Sequence, residues 1–368
     1  MKTVSPAVNY AYLCAFRDIV GGGQAGMLLH FKHADRARFT PLLVCPGEGE
    51  VSRRAAELGI ETVFFDWPRP GVLSLPAVLA GAMALRALAA KRKIALLHAD
   101  TLELAAIGGL AAICSPLKVV FHARVSDGGG MWDRLVPALC DRIICVSKAA
   151  ARRFPASGKV RVIYNGVERV TAPTAEQAAE CRRELGLLPE QVVAGYCGQL
   201  IESKGLSVLL RAFALLKSGF PSARLLLSGR GDTDGLKKLA ADLGIEGQTL
   251  FTGFRADNAS VRACIDIFTL PGLHEEGLPR TILEGMALGR PSVLTPVGGS
   301  AEAIVDGESG FFVPPGNASA LAEKLGLLLR DSGLRARMGE AAKKRMETLF
   351  EAGETTRGME AVYQELLG

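Results

Sequence analysis
The chain has 368 residues, 49% of them hydrophobic, with 42 glycines, 18 prolines and a formal net charge of +5. That length makes two domains the default, and the composition excludes a disordered, collagen-like or low-complexity protein. Aromatic residues are only 6% of the chain, and no nucleic-acid-binding motif accompanies the charge, so nucleic acid is not an expected partner. The eight cysteines are scattered without a Cys-x-x-Cys, which points to buried thiols in a reducing compartment. Met1-Lys2-Thr3-Val4-Ser5-Pro6 lacks the apolar region of a signal peptide.

From the start of the chain, short apolar runs at 7–16, 41–45, 62–65, 95–98, 118–122, 142–146 and 160–163 read as strands, with helices between them such as 25–33, 51–58 and 76–90. Such alternation predicts a parallel sheet covered on both faces. Gly21-Gly22-Gly23-Gln24 is not a Gly-x-Gly-x-x-Gly fingerprint. Its three glycines let a ligand approach the backbone closely, and they equally suit a plain loop. The stretches 72–90 and 101–117 are apolar, but Pro76, Arg86 and Glu103 interrupt them and both are short for a span, so buried helices are expected. His122, in Phe121-His122-Ala123-Arg124, ends a strand, the end that faces ligands in doubly wound sheets. A packed, hydrogen-bonded histidine is the other reading.

Asn165-Gly166 is a turn signal and 171–176 reads as a linker. A second series of strands follows at 192–197, 224–228, 249–252, 265–269, 291–295 and 310–313, then helices at 317–330, 333–350 and 355–367. Charge divides unevenly, with 21 basic against 13 acidic residues in 1–168 and 22 against 25 in the remainder. The basic first half suggests an anionic partner such as a membrane surface or a lipid-phosphate acceptor. Two Rossmann-like domains are expected, with the ligand in the crevice between them.

The second half carries the chemistry. Gly198-Gln199-Leu200-Ile201-Glu202-Ser203-Lys204-Gly205 follows its first strand. Gly198 permits a tight turn, and Lys204 either reaches an anion or is simply solvated. Asp232-Thr233-Asp234, after Gly229-Arg230-Gly231, resembles a metal-binding pair, yet helix capping explains it well. Glu276 and Glu284 stand eight positions apart around Gly277-Leu278-Pro279, one before a helix at 282–288 and one just inside it. Such a pair is either surface charge or a clamp on neutral hydroxyls beside an anion at the helix start.

Taken together, these motifs resemble the retaining family-4 glycosyltransferases of the GT-B fold. The likeness runs through 198–205, 228–231, 252–253, 276–289, 291–295 with Gly298-Gly299 and Glu302, and 305–316. More loosely, it includes Gly21–Gly23, His122, Val146-Ser147-Lys148 and Val162-Ile163-Tyr164-Asn165-Gly166-Val167. It implies an α/β GT-B enzyme with an acceptor-binding domain at 1–168, a nucleotide-sugar-binding domain at 169–350, and a helix at 351–368 packing back on the first. It implies that Glu284 holds the donor ribose and Glu276 the hexose, with Gly277 and Leu278 beside it. Lys204 neutralises the diphosphate, Gly22 and Gly23 approach it, Gln199, Gly229 and Arg230 line it, and His122 contacts the sugar near the reacting carbon.

By the same resemblance, the donor is a UDP- or GDP-sugar and the acceptor a glycolipid or saccharide of lipopolysaccharide or capsule type. Neither cofactor nor metal is required. The enzyme is expected in the cytoplasm, peripheral at the inner face of the inner membrane. The family usually places Arg where this chain has Gln199, an uncharged donor, and Arg230 or Arg280 is expected to supply the charge. The competing readings are a sugar-nucleotide epimerase or hydrolase of the same fold and an inactive nucleotide-sugar-binding protein.

Overall fold
The computed structural model describes residues 7–67, 75–126, 128, 130, 132–154, 158–169, 174–255 and 258–368. The chain forms two compact units, residues 1–166 together with 352–368, and residues 167–351. Counted on those bounds, the first unit has 22 basic and 15 acidic residues.

In the first unit, β1 (Val8–Leu13), β2 (Phe39–Cys45), β3 (Glu61–Phe64), β4 (Ile94–Ala99), β5 (Lys118–Ala123), β6 (Arg142–Cys145) and β7 (Val160–Val162) form one parallel sheet. Their order is β3-β2-β1-β4-β5-β6-β7. The inner strands are buried almost throughout, which is why they read as continuous apolar runs rather than alternating ones. The sheet reverses direction between β1 and β4, and loops leaving the carboxyl ends at such a point form the usual ligand position.

The helix Ala352–Leu367 completes this unit. It places Met359, Val362 and Tyr363 into the core around Tyr10, Tyr12, Phe31 and Phe39. Its polar side is tied down as well. The Asp35 amide donates to Glu360 at 2.8 Å, and Glu365 accepts from Arg142 and Arg161 at 2.6 and 2.8 Å.

In the second unit, β8 (Val193–Cys197), β9 (Arg224–Ser228), β10 (Thr249–Gly253), β11 (Ile267–Leu270), β12 (Ser292–Leu294) and β13 (Gly310–Phe312) run parallel in the order β10-β9-β8-β11-β12-β13. The reversal here lies between β8 and β11. Helix Arg280–Ala287 packs on β11 because Gly285 has no side chain: a Cβ there would stand 2.6 Å from the Phe268 ring. Gly289, at φ +67°, ends that helix. The amides of Gly289 and Arg290 bond to the carbonyls of Met286 and Gly285, the double bond pattern of a Schellman stop.

Several expectations need correction. The first helix is Gly22–His33, so Gly22 and Gly23 are its first turn and not a loop, with the Gly21 amide bonded to the Gln24 side chain at 3.1 Å. The 7–16 run is a strand only over Val8–Leu13. Of the expected linker, 171–173 fall outside the described residues, while Thr174 caps the helix Ala175–Glu184. Residues 72–74 of the apolar stretch and 1–6 also fall outside them. Seven cysteines are buried and Cys114 is exposed.

Candidate active site
Within the second unit, the two loops flanking the sheet reversal converge. After β8 the chain passes Gly198 and a single 3-10 turn, Glu202–Lys204, before the helix Leu206–Leu216. After β11 it passes Pro271 and Gly272 to Glu276. The Leu273 amide donates to the Ser203 carbonyl at 2.9 Å, and Lys204 Nζ meets Glu276 Oε1 at 2.6 Å. The two side chains are 20% and 13% exposed, so this pair is partly shielded from solvent but open on one side. An ammonium and a carboxylate meeting at the switch point can separate to meet an anion and a hydroxyl respectively.

The neighbouring backbone is drawn in tightly. A Cβ at Gly229 would collide with the Gly198 carbonyl oxygen, so glycine is what lets these two loops touch. The Gly198 amide donates to Ser228 at 2.9 Å and the Leu200 amide to Arg230 at 2.7 Å. Behind Glu276, the Gly299 amide donates to its carbonyl oxygen at 2.8 Å, joining the Gly298-Gly299 turn to the same loop.

Glu284 lies one turn inside Arg280–Ala287, with Pro279 at the cap position. Its carboxylate lies between two guanidiniums, Arg280 at 3.5 Å and Arg262 at 3.3 Å. Arg262 was not singled out from the sequence. It comes from the helix Asn258–Ala263, and nothing in its local pattern marks it. Gln199 is exposed and its carbonyl accepts from the Tyr196 hydroxyl at 3.2 Å. The Arg230 guanidinium stacks over the Phe254 ring at 3.9 Å. Gly277 and Leu278 are buried. Asp232 caps the helix Thr233–Asp242, accepting from the Gly235 amide at 2.9 Å. Among the described residues, no three His, Cys, Asp or Glu side chains gather as a metal site.

Within the first unit, His122 joins a buried chain of polar rings that the sequence did not reveal. His122 Nδ1 lies 3.0 Å from His98 Nε2, His98 Nδ1 lies 2.6 Å from the Tyr363 hydroxyl, and the Tyr10 hydroxyl lies 2.9 Å from His30 Nε2. Tyr12 stacks on His98 with ring centres 4.3 Å apart and accepts from Arg124 at 2.5 Å. Burial pushes the basicity of all three histidines down, that of His30 to about 3, and the Arg124 charge adds to the effect. They are therefore neutral, one proton each.

Hydrogen-bond accounting then orders the protons. If Tyr10 donates to His30 and Tyr363, which also lies 3.4 Å from His30 Nε2, donates to His98, then His98 donates to His122 Nδ1 and His122 carries its proton on Nε2. That nitrogen has no hydrogen-bond partner, and nor does His30 Nδ1. Both rings line a small cavity with Arg124, Gly26, Thr355 and Met359. His122 is thus packed on one side and unsatisfied on the other.

The family model described as Glycosyl transferases group 1 matches residues 177–345, and that described as Glycosyltransferase Family 4 matches residues 20–170. The lipopolysaccharide core biosynthesis glycosyltransferase LpsE of Rhizobium meliloti is 34% identical over 206 residues, which are 54% of this chain and 57% of LpsE. The chain spans about half the length of the curated relatives it matches. A glycosyltransferase of known structure from Rickettsia africae superposes with a TM-score of 0.87 at 20% identity, over 99% of both chains. The Anabaena protein HepE, solved with UDP and glucose, gives 0.82 at 22% identity over 96% of this chain and 99% of its own. At such identities these structures establish the fold, which is GT-B.

Proposed function
The chain belongs to the family-4, group-1 glycosyltransferases, and from that premise we propose that it moves a hexosyl unit from a nucleoside-diphosphate sugar to a glycolipid or saccharide acceptor, with retention at the anomeric carbon. The observation that carries this reading is the Lys204–Glu276 pair at the switch point of the second unit. On donor binding Lys204 turns from the carboxylate to the diphosphate, and Glu276 is released to accept hydrogen bonds from hexose hydroxyls. Glu284, steadied by Arg262 and Arg280, accepts from the ribose hydroxyls. The roles of Gly22, Gly23 and His122 rest on the sequence resemblance.

The acceptor hydroxyl attacks the anomeric carbon from the side the diphosphate leaves. The bond from that carbon to the phosphate oxygen breaks as the new glycosidic bond forms, and the departing phosphate takes the acceptor proton. No protein nucleophile is needed, and stabilising the leaving group is the main task of the side chains. The likeness to a lipopolysaccharide core enzyme and the basic first unit support a cell-surface glycan acceptor and work at a membrane face.

The test is a thermal-shift screen of UDP, GDP and their sugars, followed by transfer assays. Lys204→Ala should lose the nucleotide-induced shift, whereas Glu276→Ala should keep it and lose the further shift contributed by the sugar. Each should cut transfer roughly a hundredfold or more with its unliganded melting midpoint nearly unchanged. Near-normal turnover in either purified variant would refute the assignment.

A further inference from the structure
The helix Leu75–Arg92 is unusual among the elements of the first unit. Only Gly81, Ala82, Leu85 and Ala89 are buried, yet the side turned to solvent is not polar. Leu75, Leu79 and Met83, spaced at i, i+4 and i+8, are 68%, 45% and 73% exposed, and Pro76, Ala80, Ala84, Ala87 and Ala90 fill the face between and beyond them. No charge occurs before Arg86, and the helix has no acidic residue. Arg86 donates to the Ile113 and Cys114 carbonyls at 2.7 and 3.2 Å, bringing the half-exposed Ile113 alongside. Lys91, Arg92 and Lys93 close the far end, all exposed, with Arg92 held by Glu61 at 2.7 Å.

We propose that this face docks on an anionic lipid bilayer, with the Leu75–Leu79–Met83 stripe entering the boundary of headgroups and acyl chains and Lys91 and Lys93 meeting lipid phosphates. The inference rests on the reading of an enzyme working at a membrane face and names the surface that does it. Isolated exposed leucines are ordinary, but a contiguous apolar stripe along one helix is an interaction site. Its chemistry selects the partner. The stripe offers no polar group to set register against a protein, and the exposed charges at its far end are three basic residues against one acidic partner, Glu61 on Arg92. A bilayer supplies both halves of the match, being apolar a few ångströms deep and anionic above. Among the described residues no helix is long and apolar enough to cross a membrane, so the helix lies in the surface plane.

Co-sedimentation of the full chain with phosphatidylglycerol-containing vesicles, and with phosphatidylcholine vesicles for comparison, tests this. Wild-type protein should partition onto the anionic vesicles and be released by salt. Leu79→Ser with Met83→Ser removes apolar area without adding charge and should weaken partitioning by about tenfold or more. Lys91→Gln with Lys93→Gln should weaken it and flatten the salt dependence. Leu215→Ser, which alters an equally exposed leucine in the second unit, should change nothing, and unaltered melting curves will show that the variants fold. If wild type binds and the Leu79/Met83 variant binds equally, this surface is wrong while the membrane reading stands. If wild type stays in the supernatant, both fail. A concentration-dependent dimer abolished by the same two changes would make the face a contact between copies and overturn lipid docking.

Discussion
His98 is hydrogen-bonded on both ring nitrogens and stacked on Tyr12, so its protonation is a matter of folding as much as of chemistry. In the folded state His30, His98 and His122 resist protons. The unfolded chain accepts them as pH falls through about 6.5, so each costs about 1.4 kcal/mol of stability per pH unit below that point. Asp100 acts in the opposite direction. Burial raises its pKa to about 6, so between about pH 6 and 4 the folded protein holds a proton that the unfolded chain releases. One carboxyl offsets one histidine, and stability should still fall on acidification. His98→Gln should be less stable than wild type at pH 7.5, with the gap narrowing by pH 5. Parallel curves of melting midpoint against pH would contradict the assignment of neutral histidines. Tyr363→Phe keeps the packing but leaves His98 Nδ1 buried without its hydrogen bond, which should cost about 1–3 kcal/mol in urea unfolding.

Among the elements, Arg280–Ala287 depends most on a single missing side chain. Gly285→Ala would press a methyl into the Phe268 ring and force the helix off β11. A loss of about 1–3 kcal/mol is expected, along with a weaker nucleotide-induced thermal shift because Glu284 moves with the helix. An unchanged urea midpoint would show that the ring yields instead. The inner strands were legible in the sequence because burial on both faces leaves unbroken apolar runs with few competing patterns. The placement of Glu276 before this helix and Glu284 within it was legible for a similar reason, since Pro279 and Gly289 bracket the helix. The first turn at Gly22 was not, because glycine has poor helix propensity and the Gln24 bond to Gly21 compensates only in the folded chain. Arg262, His98 and Tyr363 were missed because their partners are distant in sequence: His98 and Tyr363 stand 265 positions apart, and no local spacing encodes that.

For the whole molecule, the division of the first unit into 1–166 and 352–368 matters most. Met359, Val362 and Tyr363 are each buried to within a few per cent and contribute about 1.5–3 kcal/mol apiece, a sum comparable to the net stability of a typical domain, about 5–15 kcal/mol. Deleting 352–368 should therefore abolish slow hydrogen exchange in β1, β4 and β5 while the amides of β8, β9 and β11 stay protected. Protection retained in both sets would show the helix to be an accessory. The arrangement also imposes a timetable on synthesis. The ribosome must make all of 167–351 before the Tyr363 segment appears, roughly 10–40 s at about 5–20 residues per second. At the end of that interval the second unit is complete, while the earlier-made first unit still waits with an aromatic slot open. On nascent chains, the half translated later should become protease-resistant first.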